Sequence, residues 1–390
     1  MSAKLSLPIV AEIRAVKTAR EIEYIKKAQK ISEQVLAEVL KKLRPDVSEI
    51  EIRNFIVRRF KQLGVRALAF PPIVSFGRGT TDVHHEPNST RLKKGDIVMF
   101  DFGCAMPVGR RAVNHYCSDM TRTFFFGANP SAKFKKVYTA VLTAQERVLA
   151  SLAKGERRAK ILDRIARGFL SKKFGKKAFP HGLGHGVGTA IHEWPNLKPR
   201  SPDILKPGMV VTVEPGVYLK GWGGVRIEDM VLITSRGIEN LTKTPKTLVS
   251  IQLKTKIMVF GTFDGLHKGH LDFFKQARRL SENPFLIVSI ARDLNVKRIK
   301  GRSPSKGERA RMIEVKKIRL VDKVVLGGNR NYLSHILKEK PEIIALGYDQ
   351  SEYTDNLKKE LADAGLKNIK IVRLKKYYPN LYKSSIITKK

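Results

Sequence analysis

Residues 96–102 read DIVMFDF, a short apolar run with Gly95 on one side and Gly103 on the other. Such a run predicts a buried strand rather than a helix. A second run, MTRTFFF at 120–126, predicts another strand, and the segment between them has the Pro, Gly and Asn of a turn or hairpin. Asp101 lies inside the first run and Asp119 directly precedes the second. Because a buried carboxylate must be paired, hydrogen-bonded or bound to a metal ion, these strands also predict a candidate site.

Helical patterns flank these two strands. Apolar side chains recur near a 3.6-residue period over residues 18–43, and SEIE begins a second helix over 48–63 in the manner of a capping box. Residues 132–170 carry two more helical patterns. From residue 181 onward the sequence changes to Gly-rich turns and short strands, as in HGLGHGVG and GGVRIEDMVLIT. We therefore predict an α+β domain over residues 1–250.

The rest of the chain has a different organisation. A basic stretch leads into the apolar run IMVF at 257–260, which a Gly-containing turn and a helix over 269–280 follow. Strands and helices then alternate, with the strands at FLIVSIA, KVVLGG, EIIALG and IKIVRL. This alternation is typical of a parallel α/β sheet, and it predicts a Rossmann-like α/β domain over residues 251–390.

Two more carboxylates fall where burial makes them costly. Glu214 ends the apolar run MVVTVE, and Glu228 follows VRI. On these facts alone, ordinary salt bridges to Arg and Lys stay open as the explanation. His185 in HGLGHGVGTAIH favours a metal centre, because one imidazole with four carboxylates suits a pair of manganese, iron, cobalt or zinc ions.

The order of these residues resembles a known family. The contexts DFG, SDMTRT, GHGVG, EPG and RIED resemble the pita-bread metallopeptidases, which include methionine aminopeptidases and Xaa-Pro peptidases. The segments FPPIVSFG, SDMTRT and VRIED resemble the Xaa-Pro branch more closely than the methionine aminopeptidase branch. Over residues 10–250 the resemblance implies a pita-bread dinuclear metallopeptidase domain, a Xaa-Pro dipeptidase or aminopeptidase that acts on proline-containing peptides.

The resemblance also implies roles for the five residues. Asp101 would bind one of two divalent ions, His185 and Glu214 would bind the other, and Asp119 and Glu228 would bridge both. A hydroxide that bridges the two ions would attack the scissile carbonyl, with Glu214 as the proton shuttle.

Residues around this set receive roles from the same resemblance. His84 and His192 would contact the substrate and the tetrahedral intermediate, and Arg226 would brace Glu228. The two aspartates are 18 residues apart, which is wider than the family's usual hairpin, so residues 105–114 are interpreted as an insertion. The catalytic pattern begins near the start of the chain, which keeps a methionine-aminopeptidase-like specificity as the alternative.

A second constellation lies at 259–270, VFGTFDGLHKGH. It places His267 and His270 three residues apart at the junction of a strand and a helix. Backbone N–H groups and the dipole at a helix N-terminus bind phosphate, and two imidazoles beside Gly269 can stabilise a departing pyrophosphate. A metal site of the HxxH kind and a surface turn with two histidines are the alternatives.

This segment resembles the HxGH nucleotidyltransferase superfamily, and IARDLNVKRIKGRSP, ERARMIE, IIALGYDQ and YKSSII resemble archaeal-type FAD synthases. The implied reaction converts ATP and FMN to FAD and pyrophosphate with Mg or a similar divalent ion. The implied catalytic residues are His267 and His270. The implied nucleotide-binding residues are Phe260, Gly261, Thr262, Phe263, Asp264, His267, Lys268, His270, Arg302, Arg309 and Asp349. A cytidylyltransferase that acts on glycerol phosphate is the nearest alternative.

Composition limits the remaining function classes. The 390 residues carry a formal net charge of +39, of which residues 1–250 contribute +22 and residues 251–390 contribute +17. A basic surface spread over both domains allows non-specific nucleic-acid association, so an RNA- or ribosome-binding protein on these folds is the hypothesis from another class. Two cysteines and no export signal or apolar run of membrane-spanning length predict a cytoplasmic protein without membrane contact. Oligomer formation stays open.

Overall fold

The computed structural model of the chain describes residues 10–108, 115–247, 250–251, 254–328, 333–350, 356–366 and 369–378. It divides into two units, Met1–Gln252 and Leu253–Lys390. In the described ranges, no helix combines the length and the apolar character that crossing a membrane requires. The terminal YKSSII and residues 109–114 of the interpreted insertion lie outside the described residues.

Four long helices form where the periodicity predicts them. They are α1 (Ala19–Leu40), α2 (Glu49–Gln62), α3 (Ala132–Ala153) and α4 (Ala159–Phe174). Thr18 and Ser48 begin the first two with complete capping boxes, in which the side chains of Glu21 and Glu51 return to the cap backbone. These reciprocal hydrogen bonds satisfy backbone N–H groups that a helix start leaves unpaired.

The strands of the first unit are short and antiparallel, apart from one parallel pair between residues 250–251 and residues 125–126. They are β1 (Ala67–Leu68), β2 (Ile73–Phe76), β3 (Ile97–Asp101), β4 (Cys104–Pro107), β5 (His115–Cys117), β6 (Thr121–Phe126), β7 (Gly184–Gly186), β8 (Glu193–Leu197), β9 (Val210–Val213), β10 (Gly216–Leu219), β11 (Gly223–Arg226), β12 (Asp229–Thr234), β13 (Gly237–Asn240) and β14 (Ser250–Ile251).

Two sheets dominate this unit. One has the order β14-β6-β3-β2 and contains both apolar runs, those at 96–102 and 120–126. The other has the order β13-β12-β9-β7-β8, and β10 pairs with β11 as a separate hairpin. Helices α3 and α4 bury Val141, Val148 and Leu162 in the core that also contains Val211 and Val225. Burial of each such side chain contributes about 1.5–3 kcal/mol, so this core holds the strand ends of the site in place.

The second unit is the α/β domain that the alternation predicts. Its elements are β15 (Thr255–Gly261), α5 (Lys268–Arg278), β16 (Pro284–Ile290), α6 (Asp293–Lys300), α7 (Glu308–Lys316), β17 (Lys323–Leu326), α8 (Leu333–Glu339), β18 (Ile343–Leu346), α9 (Leu357–Asp363) and β19 (Lys370–Arg373).

All five strands of this sheet are parallel, in the order β17-β16-β15-β18-β19. The order reverses between β15 and β18, and at such a reversal the carboxyl ends of the strands leave a crevice for ligands. Two apolar clusters cover the two faces of the sheet, one that contains Phe274 of α5 and one that contains Ile336 of α8. Sequence patterning missed α6, because Val296 is its one buried residue.

Candidate functional site

Five chain segments bring the four carboxylates and the histidine together at the ends of strands. Asp101 ends β3, Asp119 precedes β6, His185 lies in β7, Glu214 follows β9, and Glu228 links β11 to β12. His185 Nε2 is 3.6 Å from Asp119 Oδ2 and 3.4 Å from Glu214 Oε1. Ligand atoms of Asp119, His185 and Glu228 lie within 4.8 Å of one another.

Three of these carboxyl groups have raised pKa values. For Asp119 and Glu228, burial is the largest cause, and the charges of the neighbouring carboxylates add to it. Burial also raises the pKa of Glu214, although the Arg226 guanidinium opposes the shift. Like charges held together out of water must either take up protons or be neutralised by cations.

Arg226 is the cation that the fold places against this cluster. It is 2% exposed, and its guanidinium lies 2.6 Å from Asp101 Oδ2, 3.0 Å from Thr121 Oγ1 and 2.7 Å from the Tyr218 hydroxyl. Thr121 in turn donates a hydrogen bond of 2.7 Å to Glu228 Oε2. Arg226 therefore pairs directly with Asp101, and its hydrogen-bonded link to Glu228 runs through the hydroxyl of Thr121.

Hydrogen bonds to Thr212 of β9 hold β7, the strand that carries His185. The backbone N–H of His185 donates to Thr212 Oγ1 at 3.0 Å, and the same hydroxyl donates to Glu214 Oε1 at 3.1 Å. A Cβ at Gly184 would lie 2.1 Å from the carbonyl oxygen of Thr212. The glycine thus permits the close approach of β7 to β9 that sets the distance from His185 to Glu214.

The other histidines of the first unit differ in how close they lie to this cluster and in how exposed they are. The ring of His192 lies 4.3 Å from that of His185, and burial, together with the neighbouring rings of His185 and His84, lowers the pKa of His192. His84 is exposed, on a loop where its backbone N–H donates to Asp82. His181 lies behind the site, with Nε2 3.0 Å from the Tyr218 hydroxyl.

A fully buried glutamate holds the loop that carries His84. Glu49 at the start of α2 accepts hydrogen bonds from His85 Nε2 at 2.8 Å and from the backbone N–H groups of Phe76 and Asn88. No sequence motif marks Glu49 as a functional residue, although its place in the first turn of a helix is where a carboxylate is stabilised.

The donor set fits divalent cations. Asp101 Oδ1 is buried, and it has no hydrogen-bond partner among the described residues. An orphaned carboxylate oxygen beside three carboxyl groups of raised pKa is costly unless a further positive charge joins that of Arg226. Oxygen and imidazole nitrogen together suit manganese, iron, cobalt or zinc, so the residues present are compatible with the implied ions.

The second unit has a cavity of about 350 Å³ at the carboxyl end of β15. The predicted nucleotide-binding residues that line it are Phe260, Gly261, Thr262, Phe263, His267, His270, Arg302 and Asp349. Sequence reasoning missed four of its other lining residues, namely Lys300, Tyr348, Lys375 and Tyr377. Lys300 donates to Thr262 Oγ1 at 3.0 Å, which fixes its ammonium group at the border of the cavity.

The two HxGH histidines stack at the start of α5, with ring centroids 3.8 Å apart. Burial lowers the pKa of His267, and burial with the charges of His267 and Lys300 lowers the pKa of His270 to about 3. Both rings are therefore neutral near pH 7 and can each donate one hydrogen bond. A Cβ at Gly261 would lie 2.6 Å from the ring of Phe263. The glycine therefore lets the Phe263 ring pack against the backbone in this turn.

Three predicted residues of the second unit lie elsewhere. Asp264 accepts hydrogen bonds from the backbone and hydroxyl of Ser305 and from the backbone of Lys306, so its carboxylate holds that loop. Lys268 is exposed at the first position of α5, and Arg309 is exposed on α7; neither is among the described residues that line the cavity.

One buried residue of the second unit escaped the sequence analysis. Arg311 is 0% exposed and donates to the carbonyl groups of Lys306, Thr262 and Ala291. It therefore ties the turn after β15 to the end of β16. No pattern in the sequence separates this arginine from the many exposed basic side chains.

The fold and this arrangement agree with the comparison to known proteins. The chain belongs to metallopeptidase family M24, whose profile matches residues 23–235, and its first unit has the pita-bread fold. Residues 258–390 match the cytidylyltransferase-like family. The second unit is thus a cytidylyltransferase-like domain with a five-stranded parallel sheet.

Several relatives resemble the first unit. A Xaa-Pro dipeptidase of Pyrococcus furiosus is 38% identical over 241 residues, which are 62% of this chain and 67% of that protein. An uncharacterized peptidase of Staphylococcus aureus (strain USA300) is 37% identical over 237 residues, 61% of this chain and 65% of that protein. The solved Xaa-Pro dipeptidase from Bacillus anthracis is 38% identical, with a TM-score of 0.57 over 62% of this chain and 66% of that one. This chain therefore spans 65–67% of the length of these relatives.

Proposed function

We propose that the first unit is a metal-dependent Xaa-Pro peptidase. The observation that carries the proposal is the cluster of four carboxylates and one imidazole, in which Asp119 and Glu228 are buried and divalent cations would neutralise the like charges. The relatives named Xaa-Pro dipeptidases support the substrate class, proline-containing peptides.

In this proposal each ligand keeps the role that the resemblance implies. Asp101 would hold one divalent ion, His185 and Glu214 would hold the other, and Asp119 and Glu228 would contribute to both. When bound, such a pair of ions lowers the pKa of water and polarises a substrate carbonyl.

The chain's own residues do the rest of the work. The Glu214 carboxylate takes up and passes on a proton. His192 and His84 donate hydrogen bonds to the substrate, and burial lowers the pKa of His192, which favours its neutral ring. Arg226 and Thr121 keep Asp101 and Glu228 in place through the hydrogen bonds described above.

Hydrolysis of dipeptides by the full chain tests this proposal. We expect cleavage of Ala-Pro and Gly-Pro with added manganese or cobalt, and its loss in Asp119→Asn. The half-exposed carboxylate variant Glu239→Gln serves as the control and should retain activity, since Glu239 pairs with Lys26 outside the proposed site. Cleavage of Met-Ala substrates alone would overturn the Xaa-Pro assignment in favour of a methionine-aminopeptidase-like specificity.

For the second unit we propose FMN adenylyltransferase activity. An oxygen of the FMN phosphate forms a bond to the α-phosphorus of ATP, the bond from that phosphorus to the bridging oxygen breaks, and pyrophosphate leaves. His267 and His270 donate hydrogen bonds to the phosphates, while Lys300 and Arg302 at the same cavity supply positive charge. Catalysis rests on alignment and charge neutralisation, which this cavity offers, and Mg bound with ATP would add to the latter.

A second candidate is supported by the family match. The cytidylyltransferase-like description favours CTP as donor. A small alcohol phosphate such as glycerol phosphate is the acceptor in the alternative that the sequence resemblance offers. The experiment offers FMN or glycerol 3-phosphate with ATP or CTP and identifies the product by chromatography. We expect FAD from ATP and FMN, and its loss in His270→Ala with dipeptide hydrolysis retained. Product from CTP and glycerol phosphate alone would establish the second candidate.

A further inference from the structure

A second cavity of the C-terminal unit, about 290 Å³ in volume, lies beside the carboxyl end of β15. Its walls are mostly apolar and include Phe260, Ile299, Ile336 and Leu346. Ile336 and Leu346 belong to the apolar cluster on the α8 face of the sheet, whereas Phe274 of α5, the helix that carries His270, belongs to the cluster on the other face. His267 and His270 are not among its lining residues, and Phe260, Gly261 and Thr262 are the only predicted nucleotide-binding residues among them.

One polar side chain in this cavity, His335, uses only one of its two ring nitrogens in a hydrogen bond to the described residues. His335 Nε2 is 3.0 Å from Ser289 Oγ, and the imidazole packs edge-to-face on Phe260 with ring centroids 5.8 Å apart. His335 Nδ1 is buried without a hydrogen-bond partner among the described residues. A buried nitrogen in that state costs about 1–3 kcal/mol, so the position favours a ligand that supplies the missing hydrogen bond.

The two cavities meet at the end of β15. Both are lined by Phe260, Gly261, Thr262, Lys300 and Gln350. The carboxamide of Gln350 donates to the carbonyl oxygen of Phe260 and accepts from the backbone N–H of Gly347, both at 2.7 Å. This bridge spans the ends of β15 and β18 at the point where the strand order reverses. A molecule with a ring in the second cavity can thus place a phosphate in the first.

We propose that the second cavity binds the planar aromatic ring system of the acceptor substrate, and that His335 hydrogen-bonds to its polar edge through Nδ1. The inference rests on the proposed transfer to FMN and names the flavin ring as the group that is recognised. A glycerol phosphate has no apolar surface to cover these walls.

The base of the donor nucleotide is the other aromatic heterocycle that could occupy this cavity. The first cavity has its own aromatic side chains, Phe273, Tyr348 and Tyr377, close to the histidines that receive the triphosphate. The donor base can stack on these side chains while its phosphates contact the histidines of the same cavity. The second cavity then remains available for the acceptor ring.

Flavin fluorescence of the full chain tests the proposal. The probes are FMN, riboflavin, which has the ring without the phosphate, and ATP. We expect His335→Phe to weaken binding of both FMN and riboflavin by about 5-fold to 10-fold, since one buried hydrogen bond is lost, and to leave ATP affinity unchanged. Circular dichroism confirms that the variant is folded.

A surface variant guards against a folding defect. Ile299 is 43% exposed and lines the cavity, whereas Leu294 on the same helix is 77% exposed and is not among its lining residues. Ile299→Asn should weaken flavin binding several-fold, and the matched Leu294→Asn should not.

The outcomes separate this inference from the proposed function. Unchanged flavin affinity in both His335→Phe and Ile299→Asn, in a chain that still forms FAD, overturns the inference alone. Weaker ATP binding with unchanged flavin binding assigns the cavity to the donor base and also overturns it. A wild-type chain that neither binds FMN nor forms FAD overturns the proposed function, and the inference with it.

Discussion

The hydroxyl of Thr121 is the contact whose removal tests the metal centre most cleanly. It donates to Glu228 Oε2 at 2.7 Å and accepts from Arg226 Nε at 3.0 Å, in a side chain with no solvent exposure. Thr121→Val keeps nearly the same volume and removes both hydrogen bonds. The variant therefore leaves all five proposed ligands in the chain while releasing one of them.

The magnitude follows from these two bonds. A hydrogen bond to a charged group contributes about 1.5–3 kcal/mol, and Arg226 retains Asp101 and Tyr218 as partners, so we expect a total loss of about 2–4 kcal/mol. For a unit of this size, about 2–4 °C of melting temperature corresponds to each kcal/mol, which predicts a decrease of roughly 4–16 °C. Loss of a partner that orients a metal ligand typically weakens metal affinity about 10-fold to 100-fold.

Thr123→Val is the matched control in the same strand. Thr123 is also buried and makes two hydrogen bonds, but both are to the backbone of Arg226, at 2.8 and 3.1 Å. We expect it to lower the melting temperature in chelator while manganese affinity, measured by calorimetry, stays as in the wild type. Equal manganese affinity in the Thr121 and Thr123 variants would refute the reasoning that Thr121 orients Glu228.

Three further predictions concern other contacts. The hydrogen bond to Glu49 raises the pKa of His85 above its ordinary 6.5. The contact therefore stabilises the first unit fully at pH values below the ordinary pKa, and this contribution is lost as the pH rises through the raised pKa. The stability difference between wild type and His85→Gln in urea should therefore shrink from about pH 6 to pH 9, and a constant difference would contradict this. Gly184→Ala should destabilise the first unit by about 3 kcal/mol or more in the same assay, because the new Cβ would meet the Thr212 carbonyl; a loss below about 1 kcal/mol would show that β7 can move. Arg311→Met should cost the second unit about 3–5 kcal/mol in urea, because it removes the partner of three carbonyl groups and of the Asp293 carboxylate; an unshifted transition would show that these contacts are dispensable.

The sequence predicted the architecture well because its signals are local. The capping boxes at Thr18 and Ser48, the apolar run at 97–100 and the strand-helix alternation after residue 255 each depend on neighbours a few residues apart. Helix α6 is the exception, since its eight residues bury a single side chain and leave no apolar period to detect.

The candidate site was predicted in part for a different reason. Asp101 and Glu228 stand out because acids in apolar strands are costly, which is visible without a structure. Thr121 and Glu49 do not stand out, because a threonine in a strand and a glutamate at a helix start are ordinary there. Their roles arise from contacts across 107 and 36 positions of sequence, which no local pattern records.

The phosphate cavity of the second unit shows the same division. The HxGH motif predicts His267 and His270, and both line the cavity. Lys300 also lines it, but this residue lies on α6, a helix that the apolar pattern of the sequence does not predict. Arg309 is a predicted nucleotide-binding residue, but it is exposed on α7 like many other basic side chains of this chain. In so basic a chain, charge alone does not distinguish a ligand contact from a solvated surface.

The number of divalent ions that activate the full chain tests the central proposal most directly. Metal-free protein is titrated with manganese while Ala-Pro hydrolysis and bound metal are measured in the same samples. We predict that activity reaches its plateau when two ions are bound per chain, and that Asp119→Asn binds fewer ions and stays inactive. Hydrolysis that is undiminished in chelator, or a plateau with no bound metal, would contradict a dinuclear site at these carboxylates.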